Sequence, residues 1–173
     1  MTLEPSSTAP RLDVRRAAPA DRRPVARMLE LYQHDLSDIW PQDLDLHGEY
    51  GWPIDRYWRQ PGHAAFVFLV DDRYAGLALV DDDVCLPGNQ RWMAQFFVLK
   101  KYRRCAVGAR AACAVFDCMP GRWEVGQMAA NRPALAFWRR VIGDYTQGRY
   151  VEHELHDQRW DGWLQCFDNA AAA

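Results

Sequence analysis

Apolar runs along the chain predict seven β-strands. Segments such as 64–70 and 74–80 are short, almost continuously apolar and bounded by polar turns, as expected for buried strands. The Asp71–Arg73 turn between these two segments predicts an antiparallel hairpin. In chain order, the predicted strands are 12–15, 64–70, 74–80, 93–99, 123–128, 145–154 and 163–167.

Apolar residues spaced three and four positions apart predict three long helices. They are expected to run from an N-cap at Asp21 to Leu36, from Cys105 to Cys118, and from an N-cap at Asn131 to a stop at Gly143. A short helix is predicted over 54–58, inside a long irregular loop at 37–62. The resulting order, β-α-loop-β-β-β-α-β-α-β-β, indicates a mixed α/β fold.

Length and composition indicate a single globular domain. The 173 residues fit one domain, expected over 11–169, and the 49% hydrophobic share is ordinary for a globular protein. Residues 1–10 are polar, small and proline-containing, which predicts a disordered tail.

Charge and cysteine usage narrow the possible functions. A net charge of -2 gives no support for nucleic-acid binding, and the sequence has no apolar stretch long enough for a membrane helix. The five cysteines are odd in number and form no C-x-x-C pair, which favours a reduced, cytoplasmic compartment. No histidine spacing predicts a metal site, and Asp81–Asp83 is expected to be a solvated turn.

The segment 92–114, WMAQFFVLKKYRRCAVGARAACA, combines a buried strand, a basic turn and a helix. A helix N-terminus carries unpaired N–H groups and partial positive charge, so it can hold a phosphate. Arg103 and Arg104 precede three residues of little bulk and then Gly108, which would let a phosphate approach the backbone. The alternative is an ordinary strand–helix connection with solvated arginines.

This segment resembles the acyl-CoA-binding core of the GNAT superfamily of N-acetyltransferases, whose pattern is [Q/R]-x-x-G-x-[G/A]. Arg103 and Gly108 match the first and last positions, whereas Ala106 replaces the usual first glycine. Trp123-Glu124-Val125 and the N-x-x-A-x-x-F-W stretch at 131–138 extend the resemblance to about residues 92–143. The resemblance implies a mostly antiparallel central sheet, flanked by helices, with a V-shaped splay between the fourth and fifth strands.

The resemblance also implies direct transfer of an acetyl group from acetyl-CoA to a primary amine. Backbone groups near Phe97 and Val98 would pair with pantetheine, and Asn131 and Trp138 would contact the CoA arm. Asn131 could equally serve as a helix N-cap, and both roles are compatible. The predicted pyrophosphate-binding residues are Arg103, Arg104, Cys105, Ala106, Val107, Gly108 and Ala109.

The usual acid–base pair of the resembled family is missing. Trp138 stands in the place of a tyrosine acid and Gln95 in that of a glutamate base, and neither can exchange a proton. Glu124 is the candidate base, and its alternative is a structural carboxylate paired to an arginine. Tyr145 is the alternative acid.

The 37–62 loop combines aromatic and acidic residues, which suits recognition of a cationic amine. The alternative is a solvated loop anchored by its tryptophans. The expected partners are a small-molecule or peptide amine and, in a homodimer, a second copy of the chain. Two other hypotheses remain: a non-catalytic acyl-CoA-binding or sensing module, and a partner-binding domain without a CoA site.

Overall fold

The computed structural model describes residues 10–170. The predicted disordered tail therefore lies almost entirely outside the described residues. Throughout the part that is described, strands and helices follow one another in the predicted order.

Residues 10–170 contain seven strands, and the first five lie close to their predicted positions. The strands are β1 (Leu12–Arg16), β2 (Ala64–Val70), β3 (Arg73–Asp81), β4 (Arg91–Val98), β5 (Arg122–Met128), β6 (Val151–His156) and β7 (Asp161–Asp168). The prediction that a strand begins at Tyr145 is wrong, because Tyr145 and Thr146 complete the preceding helix.

The strands form a single sheet in the order β1-β2-β3-β4-β5-β7-β6. Every neighbouring pair is antiparallel except β4 and β5, which are parallel. The predicted fold class, a mixed and mostly antiparallel sheet flanked by helices, is confirmed.

In the described part of the chain, four α-helices pack on the sheet: α1 (Arg22–Leu36), α2 (Arg56–Arg59), α3 (Val107–Cys118) and α4 (Arg132–Thr146). The predicted start of α3 at Cys105 is wrong, because Ala106 adopts a left-handed conformation just before the first helical residue. The predicted stop of α4 at Gly143 is also wrong. The helix continues because Thr146 is buried, and it ends where Gln147 becomes left-handed.

Asp21 precedes α1 as predicted, but its side chain does not cap the helix. The carboxylate instead accepts hydrogen bonds from Arg15 at 2.6 Å and 3.1 Å and from Tyr74 at 2.6 Å. These contacts tie α1 to the strands β1 and β3. The hydrogen bond from Arg15 is the main cause that lowers the pKa of Asp21 to about 2, against the effect of burial.

The predicted solvated turn at Asp81–Asp83 is wrong for its first residue. Asp81 is 2% exposed and accepts a hydrogen bond from the Tyr57 hydroxyl at 2.8 Å. Arg56 lies 3.2 Å from Asp81 and 2.6 Å from Asp83. The turn therefore anchors α2 against the end of β3.

Hydrophobic cores lie on both faces of the sheet. One face packs against α3 and α4 through residues such as Phe116, Trp123 and Trp138. The other packs against α1 and α2 through residues such as Leu29 and Tyr57. Each long helix therefore holds a fixed orientation to the central strands.

The sheet opens between β4 and β5. The two strands pair only at Arg91 with Trp123 and at Trp92 with Glu124. Beyond that point, within residues 10–170, β4 has no β5 residue opposite it. In β4, Ala94 is an extra residue in the register with β3, a β-bulge that locally bends the strand. The open wedge leaves the backbone of the second half of β4 facing a gap.

Two further features concern membrane crossing and the cysteines. Among the described residues, no helix combines the length and apolarity that membrane crossing requires. All five cysteines are free thiols.

Candidate active site

A groove of about 940 Å³ follows the second half of β4. Its walls come from the end of α1, the basic turn after β4, and the first turns of α3 and α4. The predicted CoA-binding residues that line it are Phe97, Val98, Arg103, Arg104, Ala106, Gly108, Ala109 and Asn131. Cys105, Val107 and Trp138 do not line this groove: Cys105 is exposed, Val107 is buried in the core, and Trp138 lines an adjoining cleft.

The turn between β4 and α3 carries the groove's potential anion site. Ala106 has φ 57°, so an L-residue occupies the position where the resembled pattern has glycine. The helical hydrogen bonds begin with Arg110 N–H donating to the Ala106 carbonyl at 3.1 Å. The N–H groups of the residues from Val107 to Ala109 therefore have no helical acceptor, which is the feature that lets a helix N-terminus hold a phosphate.

Arg103 is engaged within the protein. Its Nε donates to the Val98 carbonyl at 2.7 Å, and its Nη2 donates to Asp35 at 2.6 Å. Lys100 lies 3.0 Å from the same carboxylate. Burial of Asp35 opposes its ionisation, but the hydrogen bonds from Arg103 and Lys100 prevail and lower its pKa. Arg103 therefore links the turn after β4 to α1.

Two other arginines line the groove without an ion pair inside the described part of the chain. Arg104 is exposed in the turn, and Arg140 lies on α4. Together with the N–H groups of α3 they make this end of the groove electropositive, which suits a pyrophosphate or phosphate.

Asn131 and Gly108 shape the floor of the groove. The Asn131 side chain accepts a hydrogen bond from Ala134 N–H at 3.2 Å, so the predicted N-cap is present. A Cβ atom on Gly108 would stand 3.3 Å from the ring of Phe137 and 3.7 Å from Val98. Glycine at this position therefore lets the start of α3 approach α4 closely.

A smaller cleft of about 200 Å³ lies between β4 and β5. It adjoins the groove, with which it shares six lining residues: Tyr32, Leu36, Phe96, Asn131, Ala134 and Phe137. Gln95 and Trp138, which stand in the places of the family's base and acid, both line it. We call this the inner cleft.

Tyr32 is the only titratable side chain that lines the inner cleft among residues 10–170. Its ring lies 5.2 Å from that of Phe97, and burial raises its pKa to about 12. The hydroxyl therefore stays protonated at neutral pH and can act as a proton donor. The sequence indicated Tyr32 only as part of the apolar stripe of α1.

Glu124 does not line either cavity. Its side chain is fully buried on β5 and accepts hydrogen bonds from Cys85 N–H at 2.7 Å, Leu86 N–H at 3.1 Å and Asn89 Nδ2 at 2.7 Å. These donors belong to the loop between β3 and β4. The contacts hold that loop on the sheet without an arginine, so this geometry favours a structural role.

Tyr145 also lies away from both cavities. Its hydroxyl donates to Asp117 at 2.7 Å and accepts from Asn169 at 3.3 Å, while its ring packs on Phe116 and Phe167. Burial raises the pKa of Tyr145 to about 12. These contacts connect α3, α4 and the end of β7.

The 37–62 loop contributes one aromatic residue, Trp40, to the inner cleft. Two of its acidic residues are engaged elsewhere, while Asp38 lines the groove. Asp45 accepts hydrogen bonds from loop backbone at 2.8 Å and 2.9 Å, and Glu49 pairs with Arg27 at 2.8 Å. The loop therefore presents an aromatic wall to the cleft, and the carboxylates of Asp45 and Glu49 stabilise its own conformation.

No group of three or more histidine, cysteine, aspartate or glutamate side chains in residues 10–170 is arranged to hold a metal ion. The groups that the cleft offers are hydroxyl, amide and indole.

Comparison with known proteins places this geometry in a family. Residues 25–143 match the model of the acetyltransferase (GNAT) family. No curated protein matches the sequence.

Solved structures with the same fold span nearly the whole domain. A GNAT acetyltransferase from Staphylococcus aureus Mu50 has a TM-score of 0.59 at 12% identity, covering 91% of this chain and 99% of its own. PaiA N-acetyltransferase from Thermoplasma acidophilum, in complex with coenzyme A, gives 0.60 at 10% identity over 91% and 99%. An aminoglycoside acetyltransferase from an uncultured soil metagenomic sample, in complex with sisomicin, gives 0.61 at 13% identity over 84% and 93%.

Proposed function

Because the chain belongs to the GNAT family of acetyltransferases, we propose that it transfers an acetyl group from acetyl-CoA directly to a primary amine. The observation that carries the proposal is that the groove and the inner cleft adjoin, with six lining residues in common. A long ligand in the groove can place its reactive end between β4 and β5, where an acceptor enters from the cleft.

The residues of the groove suit acetyl-CoA. The N–H groups at the start of α3, with Arg104 and Arg140, offer hydrogen bonds and positive charge to the pyrophosphate. The part of β4 near Phe97 and Val98 faces the gap without a β5 partner, so the backbone groups on this edge would pair with the amides of pantetheine, apart from the Val98 carbonyl that Arg103 already occupies. Asn131 lines both cavities, at the place where the arm would pass from one to the other.

Tyr32 is our candidate proton donor, since it lines both cavities and replaces the missing acid at Trp138. In the transfer, the amine nitrogen bonds to the acetyl carbon and the carbon–sulfur bond breaks. Tyr32 gives its proton to the departing sulfur and is reprotonated by the proton that the nitrogen releases. CoA then leaves as the thiol, and the product is an amide. Glu124 as a base and Tyr145 as an acid stay predictions from the sequence.

The first test is binding. Acetyl-CoA at about a hundred times its dissociation constant should stabilise the protein by roughly 2.7 kcal/mol, which calorimetry or thermal unfolding detects. Amine-dependent release of CoA thiol should follow with a panel of small-molecule and peptide amines. Absence of any melting shift at millimolar acetyl-CoA would contradict the proposal.

A second candidate is an acyl-CoA-binding module without turnover. It is favoured by the residues at the two expected catalytic positions, Trp138 and Gln95, which cannot exchange protons at neutral pH. This candidate expects the same stabilisation by acetyl-CoA but no thiol release with any amine. The thiol assay therefore separates the two functions.

A further inference from the structure

The inner cleft is walled by aromatic rings from separate parts of the chain. The rings come from α1, the 37–62 loop, β4, α4 and the turn between β6 and β7. They are those of Tyr32, Trp40, Trp92, Phe96, Phe137, Trp138 and Trp160. Residues so far apart in sequence form a built site, and such rings favour an apolar or aromatic ligand.

Trp92 and Trp160 form one end of this site, where both rings pack against Gly126. Their ring centroids lie 5.2 Å apart in an edge-to-face arrangement. A Cβ atom on Gly126 would stand 2.3 Å from the Trp92 ring and 3.0 Å from the Trp160 ring, so only glycine leaves room for both. The Trp160 indole also donates to the Gln127 carbonyl at 3.3 Å. This end of the cleft is therefore rigidly packed.

No aspartate, glutamate, lysine, arginine or histidine lines the inner cleft among the described residues. An ammonium group that enters it loses water without gaining a carboxylate, which lowers the pKa of the amine and favours the neutral, nucleophilic form. A substrate with several ammonium groups would have to leave each entering charge unpaired, at a high desolvation cost.

Two carboxamides supply the polar contacts that a neutral amine requires. Gln127 is 3% exposed and lines the cleft, and its Oε1 is buried without a hydrogen-bond partner in residues 10–170. Gln95 also lines the cleft and makes no side-chain hydrogen bond inside the same range. An unpaired buried acceptor is costly. Because the Gln127 Oε1 is shielded from solvent, an amine N–H reaches it only when the side chain turns towards the cleft, whereas Gln95 requires no such change.

We propose that the acceptor is a primary amine with one amino group on a compact aromatic or apolar body. The body contacts the tryptophan walls, and the amino group binds as the free amine to the carboxamides of Gln95 and Gln127. The inference rests on the proposed acetyl transfer and adds the class of acceptor. The aromatic walls and the uncharged lining together exclude polyamines as preferred acceptors.

The experiment compares 2-phenylethylamine with spermidine, which has the same type of amino group but several charges. Binding is measured by calorimetry and tryptophan fluorescence on the whole protein, with and without coenzyme A, and turnover by thiol release with acetyl-CoA. We expect 2-phenylethylamine to bind at least about tenfold more tightly than spermidine. It should also be the better acceptor.

Trp40→Ala is the informative variant, because Trp40 is 40% exposed and its removal leaves the core intact. It should weaken 2-phenylethylamine binding roughly five- to tenfold without changing the affinity for coenzyme A. Trp163→Ala is the matched control: Trp163 lies on β7 beneath Arg132 and lines neither cavity. It should leave both affinities unchanged.

The outcomes separate this inference from the proposed function. Tighter binding of spermidine, or equal effects of the Trp40→Ala and Trp163→Ala variants on amine binding, would overturn the acceptor class while leaving acetyl transfer intact. Failure of acetyl-CoA to bind would overturn the proposed function. The amine titration without coenzyme A would still report whether the cleft prefers the aromatic amine.

Discussion

The ring of Phe137 lies directly against Gly108, 3.3 Å from the position that a Cβ atom on residue 108 would occupy. The contact joins the start of α3 to α4 across the floor of the groove. Any side chain at position 108 must therefore displace Phe137 or enter the groove, so the glycine serves packing and ligand access together.

Gly108→Glu should weaken acetyl-CoA binding by at least about 2 kcal/mol, or roughly 30-fold, because the carboxylate would stand in the groove near the expected phosphates. Calorimetric titration of the folded variant measures this. Cys118→Glu adds the same charge at the other end of α3, to an exposed residue that does not line the groove, and it is the control. Equal affinity of the two variants would show that the turn is only a connection.

Ala106→Gly should stabilise the protein. A left-handed conformation costs an L-residue about 1–2 kcal/mol, of which the greater freedom of glycine in the unfolded chain returns part, so we expect a gain of about 0.5–1 kcal/mol. Ala109→Gly, inside α3, should instead lose about 1 kcal/mol. Urea unfolding of both variants checks the signs, and a loss in both would contradict the strain at Ala106.

Tyr32→Phe should lower the turnover number by about 10²–10⁴-fold with acetyl-CoA affinity preserved, because only the hydroxyl is lost. Since the pKa of Tyr32 is raised to about 12, the donor remains protonated across the working range. The wild-type rate should therefore rise with pH as the acceptor amine loses its proton, and then level off. Parental turnover in the variant would remove Tyr32 from the mechanism.

Glu124→Gln should lower the free energy of unfolding by about 1–3 kcal/mol, because an amide nitrogen would face the donors that now bind the carboxylate. If this anchor is its role, turnover changes little, and Asn89→Ala shows the same pattern. If Glu124 is the base that the sequence suggests, turnover falls 10²–10⁴-fold in Glu124→Gln alone. Unfolding and rate measurements on both variants decide between the roles.

Asp21 should make the free energy of unfolding depend on pH. Its folded pKa is lowered to about 2, so its contribution is complete above the unfolded pKa near 3.9 and is lost as the pH falls towards 2. Asp21→Asn should therefore cost about 2 kcal/mol at pH 7 and little at pH 2. Asp72→Asn, at an exposed pair with Arg11, is the control and should have almost no effect.

The local pattern of apolar residues predicted which helices and strands form but not the residues at which they end. The apolar stripe of α4 extends across Gly143, and the cost of glycine in a helix is offset because Ile142 and Thr146 are buried on either side of it. Similarly, the spacing of the motif around Arg103 predicted a turn between β4 and α3. The pairing of Arg103 with Asp35 depends on how α1 packs, which the sequence does not express.

The candidate site was also only partly predictable, because its side chains are brought together by tertiary packing. Glu124 was correctly expected on the fifth strand. The groups that donate hydrogen bonds to its carboxylate lie 35 to 39 positions earlier in the chain, in a loop without a distinctive motif. Arg140 reaches the groove only because of the rotation of α4. Tyr32 carried no catalytic signal, since a tyrosine in an apolar stripe is ordinarily core.

β4 and β5 pair at only two positions, so the sheet consists of two halves that are joined by two residue pairs. One half, β1 to β4, carries the strand along which acetyl-CoA would bind. The other is made of β5, β7 and β6. Both halves line the inner cleft, Trp40 and Gln95 from the first and Gln127 and Trp160 from the second, so a small change in the angle between the halves would alter the width of the cleft.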